Sequence, residues 1–290
     1  MGAPQARYEW AVRAVAIGAL AAALAGCAPH LGGGEGARLE NVSAGGATFR
    51  IQYWTVDGPA AEQVKSVLPR VAARAARWSK LYSPITITIH PSHDALEQAI
   101  RREGYGWLRA WARYATIDVQ SPRTWAFLGV GDVEVEQMLT HELTHCTMYQ
   151  AVADEWTWPY RGIPLWFREG MASVTAGQAG RRTDREGLRA YYSRRPPGAG
   201  DAEGRGGEAS IDPLTDPEPL YKEESEVVYG ASHWAFQFLL DRYGEGRIRR
   251  VLARMGQGRS FAEAFRDGIG IGADEFEREF RHYLVWRGWR

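Results

Sequence analysis

Apolar and polar positions alternate along some stretches of the chain and recur every three or four residues along others. Phe49, Ile51 and Tyr53 alternate with polar neighbours across 47–54, and Ile85, Ile87 and Ile89 alternate with threonines until His90-Pro91 ends the run. Both patterns predict strands, as does Tyr114 to Gln120. Val64, Val67, Leu68, Val71, Ala75 and Trp78 share one face of a predicted helix over 60–81, and another helix is expected over about 94–102. Asp132 reads as the N-cap of a long helix reaching about Ala153, and Pro164 as the first-turn proline of a helix reaching about Ala176. Residues 178–218 are rich in Gly, Arg, Pro and Asp, show no period, and are expected to form a mobile insertion. From Glu226 the pattern is helical again, with Phe276, Phe280, Tyr283 and Leu284 on one face of the last helix. Strands thus come before a mostly helical second half, an α+β arrangement.

The first 26 residues stand apart from this pattern. Arg7 and Arg13 precede a short apolar run, Ala14 to Leu24, too short to span a bilayer and ending in Leu24-Ala25-Gly26-Cys27. The run reads as an export signal. Its ending resembles the bacterial lipobox, which implies cleavage before Cys27 and acylation of that residue. Residues 1–26 are then the signal, 27–44 a lipid anchor and flexible tether, and 45–290 the folded domain. A chain of this size can hold one sizeable core or two small lobes sharing a cleft. The implied location is the bacterial cell envelope; Ala28 after the cysteine resembles the outer-membrane default where the host has two membranes.

Lys+Arg and Asp+Glu both number 35, so no overall field favours a nucleic-acid partner. With Cys27 lipidated, Cys146 is left alone and no intramolecular disulfide can form. Cys146 follows His145, but neighbours on a helix point about 100° apart, so it is expected to pack as a small buried hydrophobe rather than join His145 in a site.

The chemistry concentrates in His141-Glu142-Leu143-Thr144-His145, in the middle of the long predicted helix. Four residues make about one turn, so both imidazoles leave the same face and can reach one ion. Glu142 points aside, where it can reach a water beside the ion rather than the ion itself. Glu169 lies on the next helix, separated from His145 by 23 intervening residues, inside the apolar segment Trp166-Phe167-Arg168-Glu169-Gly170-Met171-Ala172. A buried carboxylate there is costly without a partner, and a metal shared with two histidines supplies one. Two imidazoles and a carboxylate suit zinc with a fourth position open.

This helix pair resembles the gluzincin zinc peptidases, in their small peptidase-MA-like branch. Val228-Tyr229-Gly230-Ala231-Ser232, Leu240-Asp241-Arg242-Tyr243-Gly244 and Ser260-Phe261-Ala262-Glu263-Ala264-Phe265 extend the likeness to about 45–288. The resemblance implies a thermolysin-like two-lobed fold: a mixed sheet with helices, then a mostly α lobe, and the active site in the cleft between. It implies one zinc ion on His141, His145 and Glu169, with Glu142 as general base and a peptide or protein as substrate. Tyr229 is expected to donate to the oxyanion, with His233 as the second candidate. Ser173 occupies the position where the thermolysin branch has an Asp holding a ligand histidine, so its hydroxyl is expected in that role. The Gly-x-Met-x-Asn segment that grips a free amine in the aminopeptidases is missing, which favours endopeptidase action. The strand through Ala115 to Val119 is expected either at the sheet edge, aligning the peptide, or in the interior. His90, His93 and His282 are expected at the surface or in caps. A non-catalytic zinc-stabilised binding module and a hydrolase of non-protein envelope material are the alternative readings.

Overall fold

The computed structural model describes residues 36–194, 211–221 and 224–287. The proposed signal and Cys27 lie outside the described residues, as does the middle of the 178–218 segment. Two strands open the fold, β1 (Ala37–Ala44) and β2 (Ala47–Trp54), joined antiparallel through Gly45-Gly46. Both glycines have positive φ (56° and 78°), the backbone that a two-residue hairpin turn requires. Helix α1 (Gly58–Ala75) leads to β3 (Ile85–His90), and α2 (His93–Ile100) leads to β4 (Ala110–Ala112) and β5 (Thr116–Gln120). The sheet order is β1-β2-β3-β5-β4, with β2, β3 and β5 parallel and the outer strands antiparallel to their neighbours.

The fold therefore begins before residue 45, because β1 belongs to the sheet rather than to the tether. The edge strand next to β5 is β4, so the strand through 115–119 is interior. That settles the open alternative of the sequence: the edge strand on this side is Ala110–Ala112.

Phe49, Ile51, Ile85, Ile87, Ile117 and Val119 face α1 and the first half of α3 (Asp132–Val152), forming one core. A second core lies among the last turns of α3, α4 (Leu165–Thr175), α5 (Arg185–Arg194), α6 (Ser225–Tyr243), α7 (Glu245–Gly256), α8 (Phe261–Ile269) and α9 (Ala273–His282). Helix α3 supplies Leu139, Leu143 and Cys146 to the first core and Met148, Tyr149 and Val152 to the second. Buried on nearly all sides, it hides hydroxyls as well; Thr144 and Thr147 donate to the carbonyls of Thr140 and Leu143, one turn back.

Helix α5 is a correction to the expected mobile insertion. Leu188, Tyr191 and Tyr192 bury its inner face in the helical core. His90 is corrected too: it is buried at the end of β3, with Nε2 2.8 Å from Oδ1 of Asp118, not at the surface. Among the described residues no helix is long and apolar enough to cross a membrane.

Candidate metal centre

Helix α3 brings His141 and His145 to one face, and α4 crosses beside it carrying Glu169. The crossing depends on Gly170. A Cβ there would stand 2.3 Å from the carbonyl oxygen of Ser232 and 2.5 Å from Cβ of Phe236, so only glycine lets α6 lie this close behind α4. Trp166 and Phe167, both fully buried, fix the rotation of α4 that turns Glu169 toward α3.

The three side chains converge. Nε2 of His141 and Nε2 of His145 are 3.2 Å apart, and Oε2 of Glu169 lies 3.3 Å from the first and 3.6 Å from the second. A tetrahedral zinc ion with bonds of about 2.0–2.1 Å would set its donors about 3.3–3.4 Å apart. The spacing and the donor types both fit zinc, and the three form the one group of potential metal ligands among the described residues. Burial acts to raise Glu169, but the facing His145 and His141 outweigh it and hold its carboxyl well below the usual carboxylate range.

Glu142 is buried one step round α3 from His141 and is not part of the donor set. Burial lifts its carboxyl to about 7; His141 and the backbone N–H of Ala112 on β4 oppose the rise, and the charge of Glu169 adds to it. The carboxyl thus lies beside His141 on one side and the edge strand β4 on the other.

His141 Nδ1 pairs with Oε1 of Gln178 at 3.0 Å, an acceptor that fixes the proton on Nδ1 and leaves Nε2 to the metal. The hydroxyl of Ser173, which the sequence placed against a ligand histidine, instead meets Nδ1 of His233 at 2.9 Å. Gln178 occupies the role because α4 ends at Thr175 and Gly177, two residues on, has a φ of 69° that turns the chain back toward α3. Arg182 ties this loop together, donating to Oε1 of Gln178 (3.0 Å) and more weakly to Ser173 (3.4 Å). The sequence carries little signal for Gln178. Tyr149 had one: it lies a turn beyond His145 and stacks on that ring at 5.8 Å and 11°, with Trp158 against its other side at 4.2 Å.

Tyr229, on α6, lies near enough for Glu169 and Glu142 to influence it; burial first, then the charge of Glu169, pushes its phenol well above the usual range. It keeps its proton and can donate. Arg182 lies 4.9 Å over its ring and Trp107 meets it edge-on at 5.8 Å. His233, one turn on, is committed to Ser173, and burial with the charge of Arg182 lowers it to about 4. Cys146 is buried away from the donors, with its thiol 3.1 Å from the carbonyl oxygen of Arg113.

No family model and no curated protein matches the chain. Among solved structures it is similar to an M1 zinc metallopeptidase from Deinococcus radiodurans, at 12% identity and a TM-score of 0.41, over 88% of this chain and 53% of that one. A mutant of an M1 zinc metallopeptidase from the same organism, bound to a Tyr-Ser-Ala substrate, gives 14% and 0.44 over 88% and 52%. An aminopeptidase N family protein from Idiomarina loihiensis gives 14% and 0.44 over 88% and 47%. The chain spans about half the length of each of these zinc peptidase and aminopeptidase structures.

Proposed function

We propose that the chain is a zinc-dependent peptidase that cuts within peptide chains at the bacterial envelope, held there by an acyl group on Cys27. The observation that carries the reading is a donor triangle of 3.2, 3.3 and 3.6 Å with a fourth, buried carboxylate beside it that is not needed as a ligand. A site built only to hold zinc has no use for Glu142. The two cores on either side of α3 suit the two-lobed arrangement.

Zinc bound by His141, His145 and Glu169 would supply a Lewis acid that acidifies water and polarises a carbonyl. Ala110–Ala112 form the edge strand next to β5, and its outward main-chain groups other than the Ala112 N–H, which Glu142 takes, can hold an extended peptide by main-chain hydrogen bonds. Glu142 accepts the proton of the attacking water and passes it to the leaving nitrogen. Tyr229 donates its hydroxyl to the carbonyl oxygen as negative charge develops there. Gln178 keeps His141 in the tautomer that presents Nε2.

The test compares the wild-type protein with Glu142→Gln and Glu169→Gln for zinc content, melting temperature and cleavage of a broad peptide library. Glu142→Gln should retain zinc and fold while cleavage falls by ~10²–10⁴-fold, the usual cost of a lost general base. Glu169→Gln should lose zinc. Equal cleavage by Glu142→Gln and wild type would rule out the mechanism. No cleavage by any of the three, with zinc retained in the wild type, would favour a zinc-stabilised binding module.

A further inference from the structure

We propose that the end of the sheet where the chain enters the fold docks on the lipid bilayer, with Phe127 and Leu128 as the inserting side chains. The proposal rests on the reading of Cys27 as an acylated anchor.

The entry point is fixed by strand register. Ala37 pairs with Trp54, the Trp54 ring lies 6.1 Å from His90, and His90 pairs with Gln120, so these residues form one row across the sheet. Gly36 stands just outside that row, its carbonyl accepting from Oγ1 of Thr55 at 3.3 Å. Eight residues, 28–35, lie between Cys27 and Gly36. Even fully extended, they keep this end within about 30 Å of the acylated residue.

The loop from Ser121 to Gly131 lies over the same row. Its base is fastened: Arg123 donates to Oδ1 of Asp57 (2.7 Å) and to the carbonyl of Pro91, and the indole N–H of Trp125 donates to the carbonyl of Gln120 (2.9 Å). Gln63 donates to the carbonyl of Val130 at 2.9 Å and holds the other side. From this base the tip presents Phe127 and Leu128, 101% and 92% exposed, with Val56 on the neighbouring turn 61% exposed. Single exposed apolar side chains are ordinary, but two adjacent ones on a braced loop beside a third make a small protruding patch. Gly129, at a φ of 75°, makes the turn that holds the tip outward.

The lipid on Cys27 holds the protein at the bilayer, and a second contact held at short range adds to that anchor as an intramolecular event. A phenylalanine and a leucine at the acyl boundary are the side chains such a contact uses. The entry of the anchored chain at this end favours the bilayer over a soluble partner protein as the occupant.

The experiment places an environment-sensitive thiol probe at Phe127→Cys, at Leu128→Cys and, as a control, at Tyr82→Cys in the full acylated chain. Tyr82 is exposed and precedes β3, at the opposite end of the sheet. Cys146 is buried and Cys27 is blocked when acylated, so neither takes the label. Each protein is bound to vesicles of phosphatidylethanolamine and phosphatidylglycerol carrying nitroxide lipids labelled near the headgroup. The expected result is a blue shift and loss of emission at positions 127 and 128 and neither at 82. Probes at 127 and 128 that stay as unquenched as the control, on protein that sediments with the vesicles, would overturn the proposal and leave the anchor standing. A chain that does not sediment, and whose N-terminal peptide has no acyl mass, would overturn both.

Discussion

Oε1 of Gln178 lies 3.0 Å from Nδ1 of His141 and 3.0 Å from Nη2 of Arg182, so one amide oxygen joins a histidine of the donor triangle to a guanidinium. An amide carbonyl has two lone pairs and can accept both bonds at once. The imidazole is thereby held in one tautomer and one orientation. Removing the acceptor in Gln178→Ala is expected to weaken metal binding by ~10–100-fold while the fold survives, since Gln178 sits at the margin of the core. Competition against a chromophoric chelator measures this directly. Unchanged affinity would mean that packing alone orients His141.

The residues nearest the metal were legible because their relationship is local. His141, Glu142 and His145 share one helical turn, and Glu169 shows itself as an acid inside an apolar helix. Gln178 was not legible, because its position depends on a chain reversal at Gly177 that no periodicity encodes. Strand β1 was hidden by its own exposure: Arg38, Glu40 and Asn41 break any alternation, although Gly45-Gly46 carried a hairpin signal. Strand β4, three residues long, is too short to show a period. In α5 the helical spacing of Leu188, Tyr191 and Tyr192 was present but masked by the Gly- and Arg-rich composition around it. Helix α1 ends at Ala75, earlier than predicted, and Trp78 reaches the core from beyond its end, with its indole N–H on Oγ1 of Thr175 at 2.6 Å.

Gly170 tests how the helix crossing positions the ligand. A Cβ at this position meets backbone, the Ser232 carbonyl at 2.3 Å, which cannot rotate away. Gly170→Ala should therefore push α4 and α6 apart, costing ~1–3 kcal/mol of stability as overpacking does. Because Glu169 is the adjacent residue, zinc affinity should fall as well. Gly180→Ala, where a Cβ would meet nothing within 4 Å, serves as the control and should change neither. Chemical denaturation and metal titration of both variants check the pair.

His233 gives the fold a specific acid sensitivity. Its ordinary value of 6.5 falls to about 4 through burial and the nearby charge of Arg182. Between those values the unfolded chain takes up a proton that the native imidazole refuses, so stability falls as pH falls. Above about 6.5 the contribution is constant, and below about 4 the loss is complete. At pH 5 the expected loss is ~2 kcal/mol, from 1.36 kcal/mol per unit. His233→Gln keeps a partner for Ser173 but cannot titrate. Denaturant unfolding at pH 7 and pH 5 should show a smaller drop for the variant than for the wild type by that amount. Parallel drops would mean that His233 titrates normally in the folded protein.

Tyr229 and His233 lie one turn apart on α6, and their surroundings assign them different work. The imidazole is occupied by Ser173 and held neutral, while the phenol keeps its proton and stands close enough to feel the charges of Glu169 and Glu142. If the phenol stabilises the developing oxyanion, Tyr229→Phe removes one donor and nothing else, because the ring still packs against Trp107 and under Arg182. Loss of a single such donor typically lowers kcat by ~10²–10³-fold. KM and zinc content should stay close to wild type, since the interaction forms as charge develops rather than on binding. His233→Gln should leave kcat nearly unchanged, which separates the two candidates on one helix. Steady-state kinetics on a peptide cleaved by the wild type, with zinc measured in the same preparations, decides the matter. Wild-type kcat in Tyr229→Phe would remove Tyr229 from the mechanism, and a large loss in His233→Gln instead would move the donor one turn along α6.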